Sequence, residues 1–421
     1  MITPAVDAKL NRNQIRGFFA AWGGWALDGM DSFIYALVMT PALRELLPRS
    51  GIQATVGEIG YYNGLLLALF LSGWGFSMLW GPIGDRYGRV RTLTLTILCY
   101  SVFTFAGALA QNVWQLAIFR LLAGIGIGGE WTLGGTFVAE EWPESRRKMG
   151  AGYMQTGYYV GTLLAALLNA WIGARYGWRA MFMVGGSPAL LVFLIQYGVH
   201  EPKRWKPAAS KPMRMLFSPE YRRRTLLNAF YLFVSIAGLW AGSVYVPAAV
   251  TFLSNKQGMN ALDATRMASW ATVILSVATI VGCLALPPLA ERWGRRATLA
   301  AYFALMFFSI AVGFGYTYYL QEHALAWFLV MLGVLGFGGA NFTVYSLWLP
   351  EQYRTECRAS AFGFATSVGR FAAAGITFLV GWGVSRMNTI GIPVALTSLA
   401  FLAGMLLLPW GVETTGQELP D

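Results

Sequence analysis

Charge is scarce in this sequence. Asp, Glu, Lys and Arg make up only 12% of its 421 residues, about half the share in a soluble domain, so an ordinary solvated fold is a poor fit. Histidine is almost missing: His200 and His323 fall at the ends of apolar segments, where neither is placed to relay protons inside a membrane. Three scattered cysteines, Cys99, Cys283 and Cys357, give neither a disulfide framework nor a metal site. No Ser-His-Asp set, HExxH, P-loop or strand-linked GxGxxG occurs. The reading is therefore no enzyme, no cofactor, no metal and no nucleotide-driven work.

What is present is apolar. Hydrophobic residues make up 56%, with 49 Gly, 17 Trp and 27 Phe, and mean hydropathy is +0.51. That suits helices packed closely in a lipid bilayer. A span needs about 20 mostly apolar residues. Twelve such spans can be drawn, at 18–43, 58–80, 92–111, 113–140, 149–174, 179–198, 226–253, 266–289, 298–319, 323–349, 358–384 and 391–411. Residues 1–17 are polar and the first span is far longer than the apolar core of a signal peptide.

The basic residues orient these spans. With the N-terminus in the cytoplasm, 22 of the 31 Lys and Arg fall in the tail and cytoplasmic loops, seven outside and two within spans. This bias assigns both termini to the cytoplasm of an inner (plasma) membrane protein. The net charge of +11 is then a topological signal and not a nucleic-acid footprint.

The chain repeats itself. A basic, proline-containing stretch at 199–225 separates residues 1–198 from 226–421, six spans from six. "GPIGDRYGRVR" at 81–91 matches "LPPLAERWGRRA" at 286–297 with an offset of 206. "GIGGE" (126–130) matches "GFGGA" (336–340) at 210, and "WPESRR" (142–147) matches "LPEQYR" (349–354) at 207. Near-constant offsets mean an internal repeat. Two six-helix halves with a site between them at the midplane describe a rocking transporter.

These motifs carry a family resemblance. "GPIGDRYGRVR" resembles the signature loop of the major facilitator superfamily, and "RLLAGIGIGGE" its fourth-helix motif. "LDGMDSFIYALV", "GGEW", "AEEWPESRRKMGAGY" and "YGWRAMF" are similar to the sialate:proton symporters, the group with sialic acid and lactate permeases. "DGMD" and "SVGRFAA" also resemble the aromatic acid:proton symporters. The resemblance spans the whole chain. It implies an all-α membrane protein whose twelve transmembrane helices form two pseudo-symmetric six-helix bundles.

Five charges lie deep in spans: Asp28, Asp31, Arg120, Glu130 and Arg370. Intramembrane ionisable residues are functional candidates by default. Asp28 and Asp31, at i and i+3, share a helix face, and two nearby carboxylates do not both ionise easily. That suits proton coupling, with Glu130 at the level of Asp28. A purely structural pairing with Arg120 remains open for either Asp, as does a cap on a helix break at Gly29. Arg370 is about 18 Å into its helix, with no deep acid in its own half. A substrate carboxylate would satisfy its planar fork; an acid from the first half is the alternative. Gln155, Tyr158 and Tyr159 cluster within one turn, and Asn341 and Tyr345 share an i, i+4 face. With Arg120 and Arg370 they are the expected substrate contacts.

The loop residues Gly81, Asp85, Arg86, Gly88 and Arg89 suit a gate. The resemblance implies that this loop locks the outward-open state. Glu291 and Arg292 repeat it, while Glu144, Arg147, Glu351 and Arg354 suit a matching cytoplasmic charge network. The expected function is a monomeric, proton-coupled symporter for a small organic acid anion. Rival readings are a proton antiporter exporting other small molecules and a non-transporting membrane sensor.

Overall fold

A computed structural model of the chain describes Leu10 and residues 12–80, 89–127, 142–188, 212–417 and 420. Every described element is helical. In the first half these are α1 (Arg12–Arg49), α2 (Val56–Phe76), α3 (Arg89–Ala108), α4 (Val113–Gly126), α5 (Glu144–Leu168) and α6 (Ala174–Gly185). The second half has α7 (Arg222–Val244 running into Val246–Lys256), α8 (Ala261–Trp293) and α9 (Arg295–Gly315). It continues with α10 (Ala324–Gly339 and Phe342–Trp348), α11 (Thr355–Met387) and α12 (Gly391–Leu396 and Leu399–Leu407).

The described helices follow the expected spans in order, several running past them; residues 128–140 of the fourth span, 189–198 of the sixth and 199–211 of the expected linker lie outside the described residues. Seven helical runs among the described residues are long and apolar enough to cross a membrane. α1 runs unbroken through Gly29 over 38 residues, so no Asp caps a break there. Instead, the backbone of Tyr158 on α5 packs directly against Gly29.

The first six helices pack on one another, mainly α1 on α5, α2 on α4 and α3 on α4 and α6. The second six do likewise, with α7 on α11 and α8 on α10. Two antiparallel seams join the bundles, α2 against α11 and α5 against α8. In the α2–α11 seam, Gly57, Gly60 and Gly64 meet Ser385, Val384 and Gly381. A Cβ on Gly64 would stand 2.7 Å from the Gly381 Cα and 2.9 Å from the Thr377 carbonyl. Only glycine permits so close an approach, which is how helices associate where lipid is as apolar as leucine.

The α5–α8 seam is held by polar contacts at its two ends. At the face bearing the basic loops, Lys148 Nζ lies 2.6 Å from Glu291. At the opposite face the Asn169 amide donates to Ser269 at 3.0 Å. There also Glu45 of α1 binds Arg49 at 2.9 Å and Arg179 at 2.8 Å, and accepts from the Trp178 indole at 2.7 Å. This gives "YGWRAMF" a structural job: it staples the ends of α1 and α6.

A second network closes the basic face of the second bundle. Arg295 donates from Nε and Nη2 to both Glu351 oxygens, at 3.0 and 2.8 Å, with both side chains buried. Thr414 adds a 2.6 Å bond to Glu351. The Glu413 carboxylate accepts from the Arg295 and Arg296 amides at 2.9 and 3.2 Å, capping α9. The turn before α9 is Gly294, at φ 89, a left-handed value that disfavours any side chain. Burial alone would raise the Glu413 carboxyl, but the Thr415 hydroxyl and the backbone amides outweigh it and hold it below the usual range.

Candidate functional site

The midplane between the bundles is walled by aromatic rings. Tyr158 of α5 packs on Trp25 at 4.7 Å and near Phe33 at 6.4 Å. Phe33 meets Trp240 of α7 at 6.2 Å, and Trp240 meets Trp74 of α2 at 5.9 Å. The Arg370 guanidinium of α11 lies over Trp74, 4.1 Å from the ring centre. Arg370 is 4% exposed. Its electrostatic neighbours are Tyr158 and Asp28, both on helices of the other bundle. Thus Asp28, Tyr158 and Arg370 converge where the halves meet, within a mostly apolar enclosure carrying few polar groups. That is the general character of a small-molecule site.

Asp28 and Asp31 are both fully buried but serve different neighbours. Asp31 looks into the first bundle, toward Arg120 of α4 and Thr104 of α3. The Arg120 guanidinium sits between the rings of Phe70 (4.4 Å), Tyr35 (4.7 Å) and Phe182 (5.9 Å). Neither Asp31 oxygen and none of the Arg120 nitrogens has a hydrogen-bond partner among the described residues. The two charges therefore face each other through space, with aromatic faces supporting the cation. Arg120 thus lies in the interior of one bundle, facing Asp31, the pairing that the sequence left open beside a substrate contact.

The remaining expected contacts divide. Gln155, Tyr158 and Tyr159 are all buried on α5. The Tyr159 hydroxyl donates across the halves to the Gly339 carbonyl at 3.1 Å, and Gln155 Oε1 has no partner among the described residues. In the second bundle the Tyr345 hydroxyl donates to the Tyr231 carbonyl and shares a 2.7 Å bond with Ser235. That hydroxyl ties α10 to α7, so a substrate-contact role for Tyr345 is a poor fit. The Asn341 amide bonds its own helix at Gly338, while its Oδ1 has no partner among the described residues. Asn341 therefore retains an acceptor for a ligand.

Of the expected gating residues, Glu291 and Glu351 enter the networks at the basic face. Arg292 and Arg354 are exposed, and the buried cation of that network is Arg295 instead. The reason lies in the helix junction. Arg292 ends α8 on its exposed side, whereas Arg295 opens α9 facing Glu351. Gly81, Asp85, Arg86, Gly88 and Glu130 lie outside the described residues, as do the side chains of Arg89, Glu144 and Arg147. Sequence reasoning missed Arg295 and Lys148. Arg295 could have been found, since the 206-residue offset maps Arg89 onto it. It also missed Trp25, Phe33 and Trp74, whose only signal was an abundance of aromatics.

Comparison with known proteins fits this architecture. The model of the Major Facilitator Superfamily matches residues 21–377. A probable 4-methylmuconolactone transporter of Cupriavidus pinatubonensis is 30% identical, over 96% of this chain and 91% of that protein. The sialic acid transporter NanX of Escherichia coli is 24% identical, over 95% and 94%. The partially occluded, inward-open xylose transporter XylE of E. coli superposes with a TM-score of 0.73 at 19% identity, covering 97% of this chain and 100% of that one. The chain is a multi-pass membrane transporter, not an enzyme, and it belongs to the major facilitator superfamily.

Proposed function

We propose that the protein is a proton-coupled symporter for a small organic acid anion, working by rocking of the two bundles about the midplane site. The observation that carries this reading is Arg370, a buried guanidinium at the meeting of the halves, next to Asp28 and Tyr158. A carboxylate substrate is the ligand whose geometry matches its fork. The surrounding Trp25, Phe33, Trp74 and Trp240 suit a flat, partly apolar carbon skeleton. The two relatives are named for transport of 4-methylmuconolactone and sialic acid, which supports a small organic acid as cargo without fixing the shape of its skeleton.

Asp28 supplies the coupling. While ionised, it shares the field of Arg370 and opposes a second carboxylate there. Protonation removes that charge, so the proton loads before the anion. Asp31 and Arg120 form a second titratable pair inside the first bundle, where a proton would move without touching substrate. Lys148 and Glu291 act as the releasable tie between the halves at the basic face, which is cytoplasmic in an inner membrane with both termini inside. The carrier acts as a monomer.

Uptake into sodium-free proteoliposomes tests this, using labelled mono- and dicarboxylates, sialate and sugar acids with an acid-outside gradient. Accumulation that collapses with a protonophore is expected. Uptake that needs sodium and ignores the protonophore would overturn the coupling; exclusive transport of neutral or cationic compounds would overturn the anion.

A further inference from the structure

A second cleft lies between the bundles at the face opposite the basic loops. Thr40 and Arg44 of α1, Ile59 and Asn63 of α2, and Thr251 and Asn255 of α7 are among its walls. Tyr245 closes it from below, with its hydroxyl 3.4 Å from the Gly60 carbonyl across the seam. Asn63 also belongs to the floor. It accepts from the Tyr35 hydroxyl at 2.9 Å through its carbonyl and 3.2 Å through its side chain. The Tyr35 ring in turn lies 4.7 Å from the Arg120 guanidinium. The cleft thus ends on Tyr245 and Asn63, where α1, α2 and α7 meet between the bundles.

Its charge is one-sided. Arg44 lines the cleft, and no acidic side chain does so among the described residues. The adjacent Glu45 turns elsewhere, to Arg49, Arg179 and Trp178. A cation in a narrow, partly apolar opening focuses its field outward and concentrates anions there. Thr40 and Asn255 add hydrogen-bonding groups, while Ile59 and Phe252 offer apolar surface to a carbon skeleton.

We infer that this cleft is a capture site for small organic carboxylates, holding the anion on Arg44 ahead of its transport step. The inference rests on the proposed anion transport for its purpose, but its ligand chemistry can be measured separately. A capture site speeds encounter without changing the later steps, so it acts on kcat/KM and leaves kcat alone.

Two experiments decide it. In proteoliposomes, Arg44→Gln is expected to lower kcat/KM for a transported carboxylate about tenfold, the lower end of electrostatic steering. It should also flatten the salt dependence of uptake, and Arg44→Lys should restore both. A fall in kcat at constant KM, or unchanged salt dependence, would overturn the proposal. Separately, saturation-transfer NMR with benzoate reads the cleft after the midplane anchor is removed by Arg370→Gln, or by Arg370→Lys if the former is unstable. Benzoate signal should persist in that protein and disappear when Arg44→Gln is added. No signal in the first protein, or equal signals in both, would overturn the capture site. If the wild type takes up no carboxylate at all, the transport reading fails and the NMR result alone decides the cleft.

Discussion

The Arg370 guanidinium and the Trp74 ring stack at 4.1 Å, a cation on α11 resting on an indole of α2 across the two bundles. Desolvated contacts of this type contribute about 2 kcal/mol. The indole therefore supports the charge through its ring face. Arg370→Lys keeps the charge but loses the planar pair of donors. Losing one charged hydrogen bond, about 1.5–3 kcal/mol, should weaken anion binding roughly ten- to a hundredfold. Calorimetry and thermal unfolding on one purified sample check this; wild-type affinity would end the anchor role.

Asp31→Asn should separate transport from its driving force. Its neighbour Arg120 keeps the cage of Phe70, Tyr35 and Phe182 but loses its counter-charge, so thermal stability should fall by up to about 3–5 kcal/mol and transport is compared per folded carrier. Substrate exchange at equal pH is expected to continue, while accumulation driven by an acid-outside gradient is reduced, Asp28 still carrying its own proton. Intact acid-driven accumulation in this variant would remove Asp31 from the coupling.

Gly64→Ala tests the α2–α11 seam. The added Cβ meets Gly381 Cα at 2.7 Å, and overpacking of this kind costs about 1–3 kcal/mol. A lowered melting temperature and slowed uptake are expected. Gly333→Ala is the control, because a Cβ there meets nothing within 4 Å. Equal behaviour of the two variants would show that the seam tolerates side chains.

Glu351→Ala should be severe, since it removes the buried bidentate partner of Arg295 and leaves it only the exposed Glu291 carboxylate, 2.6 Å away. Breaking a buried pair from one side costs about 3–5 kcal/mol, readable as a large drop in thermal stability. Arg292→Ala, at an exposed site, should be near neutral.

Glu413 predicts a pH effect. Its folded carboxyl is held below the ordinary range by Thr415 and the amides of Arg295, Arg296 and Thr414, against the opposing effect of burial. A depressed carboxyl stabilises above the unfolded value, about 4.3. That contribution is lost as pH falls through the lower folded value. Glu413→Gln should lower the melting temperature at pH 7 and shrink its fall between pH 5 and pH 3.5. An unchanged acid slope would show that the cap carries no charge-dependent stability.

Span order and the twofold repeat were legible because lipid imposes length and apolarity directly on the sequence. The deep charges stood out for the same reason, as rare polar residues in apolar runs. Their partners did not. Spacing placed Asp28 and Asp31 on one face, yet a helix neighbours several others, and only packing sends one toward Arg370 and the other toward Arg120. The aromatic walls were hidden because tryptophans facing lipid and tryptophans facing a site look alike in sequence. Arg295 was legible as the repeat of Arg89, but so was Arg292 as the repeat of Arg86, and only the packing across the Gly294 turn shows which of the two is buried.

The clasp at the basic face has a consequence for biogenesis. Residues are made in order, so Arg295 and Glu351 are synthesised well before Glu413 and Thr414. Until residues beyond the twelfth span emerge, α9 lacks its cap and Glu351 lacks its third donor. The residues just past the twelfth span are therefore part of the second bundle's own packing: a chain ending at residue 411 would insert every span yet leave α9 uncapped and Glu351 short of one bond.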